Sequence, residues 1–140
     1  MGIRIAKERL GRAKRKLRRM TRRSQGRSIE EVRDELNPYI RGWVNYYALA
    51  DAKAHMQRLD EWVRRRLRQV LWKQWKTPAN RYRNLLARGV SEYWAIRAGG
   101  TSKGCWRLSA SPPLHKALNN AYWRELGLES FLHRYHLRHT

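Results

Sequence analysis

Four carboxylates that could carry acid–base chemistry or bind a metal lie close together in the sequence: Glu30, Glu31, Asp34 and Glu35. A catalytic centre would need a histidine partner or a phosphate-binding loop beside them, and the neighbouring sequence offers neither. Acidic side chains also stabilise the first turn of a helix, because they complement the positive end of its dipole. We therefore interpret this cluster as structural and predict no catalytic residue in the chain.

The histidines, the cysteine and the glycine-rich loop give no stronger signal. The last 26 residues hold four histidines: His115, His133, His136 and His139. A zinc site needs further ligands at fixed spacing, so we predict a solvated tail and no metal site. The single Cys105 excludes an internal disulfide. The loop at residues 99–104 lacks the Walker spacing and a preceding apolar strand, which excludes that kind of nucleotide site.

The remaining candidate functional residues are lysines and arginines, whose usual role is to bind anions. The 32 Lys and Arg residues against 11 Asp and Glu residues give a formal net charge of +21 and a pI near 11.4. With an aromatic content of 11%, this balance indicates a nucleic acid as partner before a membrane surface. The sequence contains no transmembrane run and no signal-peptide core, so we predict no membrane partner.

The element that must position most of these cations is a basic helix predicted over residues 3–24. Its apolar seam repeats every three or four residues, at Ile3, Ala6, Leu10, Ala13, Leu17 and Met20. Residues 1–27 carry 12 basic side chains and one acid, Glu8. Like charges at i,i+4 destabilise an isolated helix, so this face is expected to contact phosphates. The candidates on it are Arg12, Arg15, Lys16, Arg18, Arg19, Arg22 and Arg23.

A second helix should begin at Ser28, where Glu31 completes a capping box, and end near Leu36. Pro38 should start a separate helix that runs to residue 50 or 51, because proline disfavours helix geometry in the residue before it. Within that helix, Trp43 and Tyr47 belong to the apolar stripe. Tyr39 and Tyr46 lie beside the stripe. Gly42 costs about 1 kcal/mol relative to alanine there, which favours close approach by another backbone or a ligand.

A third long helix is predicted over residues 52–76, with its seam at Met56, Leu59, Val63, Leu67 and Val70. Arginines and lysines alternate with tryptophans on its other faces. Two interpretations remain open: the tryptophans stack on bases, or they form the edge of the core with arginines packed on them. From this region and the preceding helix we select Arg64, Arg65, Arg68, Lys73, Arg41 and Tyr46 as candidate RNA contacts.

Shorter helices are predicted over residues 79–88, 92–98, 112–126 and 128–137. The predicted fold is therefore all-α: a basic bundle of three long helices with a smaller helical C-terminal extension. The predicted division is a basic N-terminal helix over 1–27, a helical core over 28–86 and the extension over 87–140.

The stretch from Leu36 to Tyr47, LNPYIRGWVNYY, resembles the signature of the maturase-specific domain of group II intron reverse transcriptases, also called the thumb or X domain. The basic helix before it and the stretch Leu59–Leu67 after it are similar to the same family, and residues 106–109 and 117–122 resemble its bacterial C-terminal tails. The resemblance rests on Leu36, Asn37, Pro38, Gly42, Trp43, Tyr47 and Trp62.

This resemblance implies a helical thumb that holds group II intron RNA during splicing and guides a template–primer duplex during reverse transcription. The family's polymerase palm, with its Tyr-Ala-Asp-Asp motif and Mg²⁺, is absent from this sequence, and so are the cysteines of the HNH-type endonuclease. We therefore expect no enzyme activity from this chain alone, no cofactor within it, and a missing palm and fingers domain as partner. A bacterial cytoplasmic location follows from the resemblance, and the arginine-rich N-terminus leaves an organellar one as the alternative.

The main alternative is a stand-alone structural RNA-binding protein of the ribosome-associated type, which the charge fits equally well. Preference for folded intron RNA would distinguish the two, and so would a palm-encoding reading frame immediately upstream. An intact enzyme is disfavoured, because no nucleophile–base pair or metal constellation is present.

Overall fold

A computed structural model describes residues 4–23 and 26–139, and within them the chain forms nine α-helices and no β-strand. The helices are α1 (Lys7–Met20), α2 (Ile29–Tyr46), α3 (Lys53–Trp75), α4 (Pro78–Ala87), α5 (Glu92–Gly99), α6 (Cys105–Leu108), α7 (Pro112–Ala117), α8 (Asn120–Leu126) and α9 (Phe131–Arg138). The predicted all-α class is confirmed, and the three longest helices come first in the chain.

Helix α1 buries the later part of its predicted seam. Ala13, Leu17 and Met20 are buried, whereas Ala6 is exposed as the residue that precedes the helix. Ile5 enters the core instead, and Ile3 lies outside the described residues. The helix is shorter at both ends than the periodicity predicted, and its N-cap, Ala6, makes no side-chain hydrogen bond.

The predicted break at Pro38 is wrong: α2 continues through the proline from Ile29 to Tyr46. An internal proline costs about 3 kcal/mol, because it removes the hydrogen bond to the residue four positions earlier. Pro38 and Asp34 are both exposed, so the affected turn faces solvent. Leu36 and Ile40, on either side of the proline, are fully buried. Burial of these side chains on one continuous stripe offsets the missing hydrogen bond.

Helix α3 is the centre of the molecule, and its predicted seam is confirmed. Met56, Leu59, Val63, Leu67 and Val70 are all at most 2% exposed. One core cluster extends from the N-terminal segment to α9 and includes side chains of α6, α7, α8 and α9. The C-terminal helices therefore pack on the same core as the three long ones.

Two helices replace the single helix predicted over residues 112–126. The break lies at Leu118, which is fully buried, and Asn119, whose Oδ1 accepts a hydrogen bond of 3.0 Å from the backbone N–H of Tyr122. An asparagine that bonds a nearby backbone N–H favours a helix start over a helix interior. Gly127 ends α8 in the left-handed region with φ of +87°, as predicted.

A buried carboxylate of α3 fixes the start of α9. The two oxygens of Asp60 accept hydrogen bonds from Ser130 Oγ (2.6 Å) and from the backbone N–H groups of Phe131 (2.7 Å) and Leu132 (2.9 Å). Burial raises the pKa of Asp60, although these three bonds act to lower it. Asp60 thus joins the centre of the chain to its end.

The exposed C-terminal tail also makes contacts with the core, and His139, although exposed, is one of the residues that make them. Its Nε2 lies 2.7 Å from the carbonyl of Ala48, and its ring lies 4.3 Å from that of Tyr135. Tyr135 in turn donates a hydrogen bond of 2.7 Å from its hydroxyl to the carbonyl of Ala50. His115, His133, His136 and His139 are all exposed, as predicted. In residues 4–23 and 26–139, no helix combines the length and the hydropathy required to cross a bilayer.

Candidate nucleic-acid interface

The outward side of α1 and of the residues just after it presents a row of exposed cations. The seam residues point towards α2 and α3, so the basic positions lie on the opposite or flanking faces. Glu8 is the sole acid of the helix. Within the described part of the chain, no ion pair or hydrogen-bond partner is found for the side chains that form this cationic row, which are those of Arg12, Arg15, Lys16, Arg22 and Arg23.

The cationic row therefore carries positive charge that no side chain in residues 4–23 and 26–139 neutralises by direct contact. Two further candidates on the same helix differ from it. Arg19 is exposed but is not free of interactions. Arg18 is exposed as well, and its guanidinium lies beside a tryptophan of α3.

That tryptophan, Trp62, lies beside three cationic side chains where α1 meets α3. Lys14 Nζ, the Arg18 guanidinium and the Arg66 guanidinium lie 5.9, 5.7 and 5.6 Å from the centre of the Trp62 ring. The negative face of an aromatic ring attracts cations at these distances. Burial and then the neighbouring Arg18 lower the pKa of Arg66. Trp62 thus lies between cations of two basic helices and favours their approach to each other.

Arg66 also closes the C-terminal end of α1. Its Nε donates to Thr21 Oγ1 at 3.1 Å, and its Nη2 donates to the carbonyl of Arg18 at 3.1 Å. The Thr21 hydroxyl, fully buried, donates to the carbonyl of Leu17 at 2.7 Å. The last carbonyls of a helix lack intrahelical partners and carry its negative dipole end, so a guanidinium is well suited to this position.

Two of the residues on α3 that were predicted to contact RNA, Arg65 and Arg68, bind other residues of the chain. Arg65 lies 3.7 Å from the centre of the Trp106 ring and donates to Ser109 Oγ (3.1 Å) and to the carbonyl of Trp106 (3.0 Å). Arg68 is 5% exposed and donates from Nε to the carbonyl of Ser109 at 2.8 Å. Burial, followed by Arg64 and Arg65, lowers the pKa of Arg68 to about 10, so it remains a cation at neutral pH.

The other predicted contacts differ in availability. Arg64 is half-buried with no hydrogen bond to another described residue, and Lys73 is exposed. Arg41 pairs with Glu129 at 3.1 Å. Tyr46 is 72% exposed. Direct RNA contact by any of these residues stays a prediction.

For the tryptophans at the end of α3, the structure favours the second of the two interpretations. Trp72 is fully buried and Trp75 is 7% exposed, so both belong to the core. The guanidinium of Arg81 lies 4.5 Å from the ring centre of Trp72, and that of Arg88 lies 5.2 Å from that of Trp75. The sequence alone indicated no role for these two arginines, because they reach α3 only after the chain turns back through α4.

The signature stretch holds the C-terminal segment in place. Asn37 Nδ2 donates to the carbonyl of Gly127 at 2.8 Å, and its Oδ1 accepts from the backbone N–H of Glu129 at 2.8 Å. Trp43, 9% exposed, packs edge-on against Phe131 with ring centres 5.7 Å apart, and Tyr47 lies 4.5 Å from Trp43. The spacing placed Trp43 and Tyr47 on the apolar stripe, but it did not indicate that Asn37 binds the backbone of residues 127 and 129.

A groove of about 410 Å³ runs between α1 and α2 beside the same signature. A Cβ placed on Gly42 would meet no described atom within 4 Å, so packing within the chain does not require glycine there. Tyr47 and then Tyr46 raise the pKa of Arg9. The groove thus combines one exposed aromatic ring, that of Tyr46, and the partly buried rings of Tyr39 and Tyr47 with cations at its edge. It is lined by Arg9, Arg12, Ala13, Pro38, Tyr39, Gly42, Trp43, Tyr46 and Tyr47.

A second cavity, of about 660 Å³, lies between α3 and residues 115–121, which include the end of α7 and the start of α8 and are called the α7–α8 segment below. Its lining residues are Glu61, Arg64, Arg65, Arg68, His115, Asn119, Asn120 and Ala121. The sequence pointed to the three arginines but not to His115 or the asparagines, because nothing local links them to α3.

The fold and these surfaces define an all-helical domain with a strongly cationic outer side. The family model of the group II intron maturase-specific domain matches residues 10–89, and the chain belongs to this family. The match contains most of α1, all of α2, α3 and α4, and the whole signature. No curated protein matches the chain.

Proposed function

We propose that this chain binds RNA, and that it holds group II intron RNA during splicing. The observation that carries the proposal is the cationic row on the outward side of α1, without partners among the described residues, in a chain that belongs to the maturase-specific family. Cations of this kind bind phosphates and release counterions, which gives affinity with little sequence preference.

The groove between α1 and α2 would add stacking to this electrostatic attachment. Tyr46 offers an exposed ring, and Arg12 belongs both to the groove and to the cationic row. A base stacked on an aromatic side chain contributes roughly 1–3 kcal/mol. The bare backbone at Gly42 would let a ribose or phosphate approach the helix closely. RNA with unpaired nucleotides should therefore bind more tightly than a simple duplex of equal length.

When the chain is joined to a reverse transcriptase palm and fingers domain, the same cationic side would guide a template–primer duplex. Without that domain it would neither polymerise nor cut nucleic acid. Its setting would be the bacterial cytoplasm.

The test is filter binding of a folded group II intron RNA, with an unrelated structured RNA and a plain duplex as comparisons. If six to ten phosphates are neutralised, affinity should fall by roughly 10³–10⁵ between 50 and 200 mM salt. Little salt dependence would refute the electrostatic account. Salt-sensitive binding without preference for the intron RNA would favour a general structural RNA-binding protein over a maturase.

A further inference from the structure

The cavity between α3 and the α7–α8 segment differs from the surface of α1 in that two of its three arginines are fixed in place. Arg68 is held by the carbonyls of Ser109 (2.8 Å) and Leu118 (3.5 Å). Arg65 is held by the Trp106 ring and by Ser109 Oγ. A guanidinium that is already positioned loses little side-chain entropy when it binds an anion.

The charges around this cavity are not balanced. Three arginines line it, and Glu61 is the one acid among its lining residues. Burial lowers the pKa of His115, and Arg68, Arg64 and Arg65 lower it further, in keeping with a positive potential at the site. At neutral pH the imidazole is therefore a hydrogen-bonding group and not a fourth charge.

Two lining side chains also have hydrogen-bonding capacity to spare. Neither the guanidinium of Arg64 nor the amide of Asn120 has a hydrogen-bond partner among the described residues. Arginine binds phosphate oxygens through paired N–H groups, and an asparagine amide can both donate and accept. The cavity thus contains fixed charge together with groups that are ready to bond a ligand.

We propose that this cavity binds one phosphate group of an RNA strand together with its attached nucleoside. The volume of about 660 Å³ falls within the range of roughly 300–1,000 Å³ that is usual for ligand pockets. Arg64 binds the phosphate together with Nη1 of Arg65, the one nitrogen of that guanidinium with no hydrogen bond to a described residue. His115 and Asn120 contact the ribose or base. The inference rests on the proposed RNA binding and adds a separate, solvent-accessible site to it.

The location of the cavity gives the C-terminal segment a role in recognition. Its α3 wall lies within the family match at residues 10–89, whereas residues 115–121 lie beyond it. A site that needs both walls exists only when the segment is docked on α3. RNA recognition at this site should therefore depend on contacts outside the matched region.

The experiment compares the double variant Arg64→Gln/Asn120→Ala with the wild type and with Lys53→Gln, which removes one charge at an exposed position of α3. The probe is a short single-stranded oligoribonucleotide. The double variant should bind about tenfold more weakly, because it lacks a charge-assisted hydrogen bond, and its salt slope should be shallower by about 0.7. Lys53→Gln should bind like the wild type. Equal melting temperatures would show that all three proteins are folded.

A direct readout comes from the Nε–H resonances of the arginines and the side-chain amide of Asn120 in the wild type. These signals should shift when the oligoribonucleotide is added, and a nucleoside 5′-monophosphate should shift the same signals more weakly. Shifts with the monophosphate but not with the oligoribonucleotide would overturn the assignment to RNA. If the wild type binds RNA and the double variant binds equally well, the cavity is not a site and the proposed function stands. If the wild type shows no salt-sensitive RNA binding, the proposed function itself fails.

Discussion

The arginines of α1 and those of α3 are the same residue type in similar helical patterns, yet the structure uses them differently. On α1, Arg12 and Arg15 extend from the outer side without a partner among the described residues. On α3, Arg65, Arg66 and Arg68 bond backbone carbonyls or stack on tryptophans. A guanidinium has five N–H donors and a long apolar stem, so it can replace part of a core as readily as it can bind a phosphate.

The difference teaches that the number of arginines is a poor measure of an RNA-binding surface. Arginines that satisfy carbonyls at helix ends or under a loop contribute to stability and are less available to RNA. Arginines with no internal partner repel one another and gain most from a polyanion. Mutations in the two regions should therefore separate binding from folding.

The largest expected effect is on binding, in a variant of the cationic row with Arg12, Arg15, Arg22 and Arg23 all changed to Gln. If most of the four bind phosphates, RNA affinity at 50 mM salt should fall by roughly 10²–10³, and the salt slope should decrease by about 0.7–0.9 for each phosphate that is no longer neutralised. The melting temperature should hold or rise slightly, because like charges are removed. Filter binding and thermal melts measure the two quantities.

The matched control removes the same charge elsewhere, with Lys53, Arg83, Lys103 and Arg138 changed to Gln. All four are exposed and lie outside α1. Its affinity should stay much closer to that of the wild type. Equal decreases in affinity for the two variants would mean that net charge, and not the α1 surface, governs binding.

The next largest effect is a loss of stability in the variant Arg68→Met of α3. Methionine keeps much of the apolar stem but leaves the buried carbonyls of Ser109 and Leu118 without their donor, which should cost about 2–4 kcal/mol. Urea unfolding measures it, with Arg15→Met as the comparison that should unfold like the wild type. Equal midpoints for the two variants would remove the distinction between α1 and α3.

A smaller decrease in stability is expected from Arg66→Met, where α1 and α3 meet. The carbonyl of Arg18 and the hydroxyl of Thr21 would be left without this donor, and the Trp62 ring without one of its cations, for a total cost of about 1–2 kcal/mol. Amide hydrogen exchange should show faster opening in α1 than in α3. Uniform destabilisation of both helices would mean that Arg66 is part of the global core and not a local cap.

The smallest effect concerns the groove beside α1, through Gly42→Ala. The new Cβ meets no described atom, and alanine favours the helix over glycine, so stability should rise by about 0.5–1 kcal/mol. RNA affinity should fall several-fold if a ribose or phosphate rests on the helix there. Gly11→Ala in α1 is the control, because its Cβ would lie at an ordinary 3.6 Å from Arg15 Nη1 and outside the groove. Unchanged RNA affinity in Gly42→Ala would exclude close approach at this position.

Features that depend on near neighbours in the chain were predictable from the sequence. The seam of α3 followed from spacings of three and four, and the start of α2 from the bond between Ser28 Oγ and the N–H of Glu31, which measures 3.1 Å. Gly127 marked the end of α8 because its φ of +87° suits glycine. The family followed from the signature, and the basic face of α1 from its composition.

Tertiary structure alone decided which polar side chains were free and which were not. The break expected at Pro38 is absent because Leu36 and Ile40 bury on one stripe, and the helix expected over residues 112–126 divides at Asn119. Asn37 meets the backbone of Glu129, and Arg68 meets Ser109, across 92 and 41 residues. Periodicity fixes which face of a helix is apolar, but it does not specify which distant carbonyl or ring will cover a given cation. That choice depends on how the helices pack, and it separates Arg65, Arg66 and Arg68 of α3 from Arg12 and Arg15 of α1.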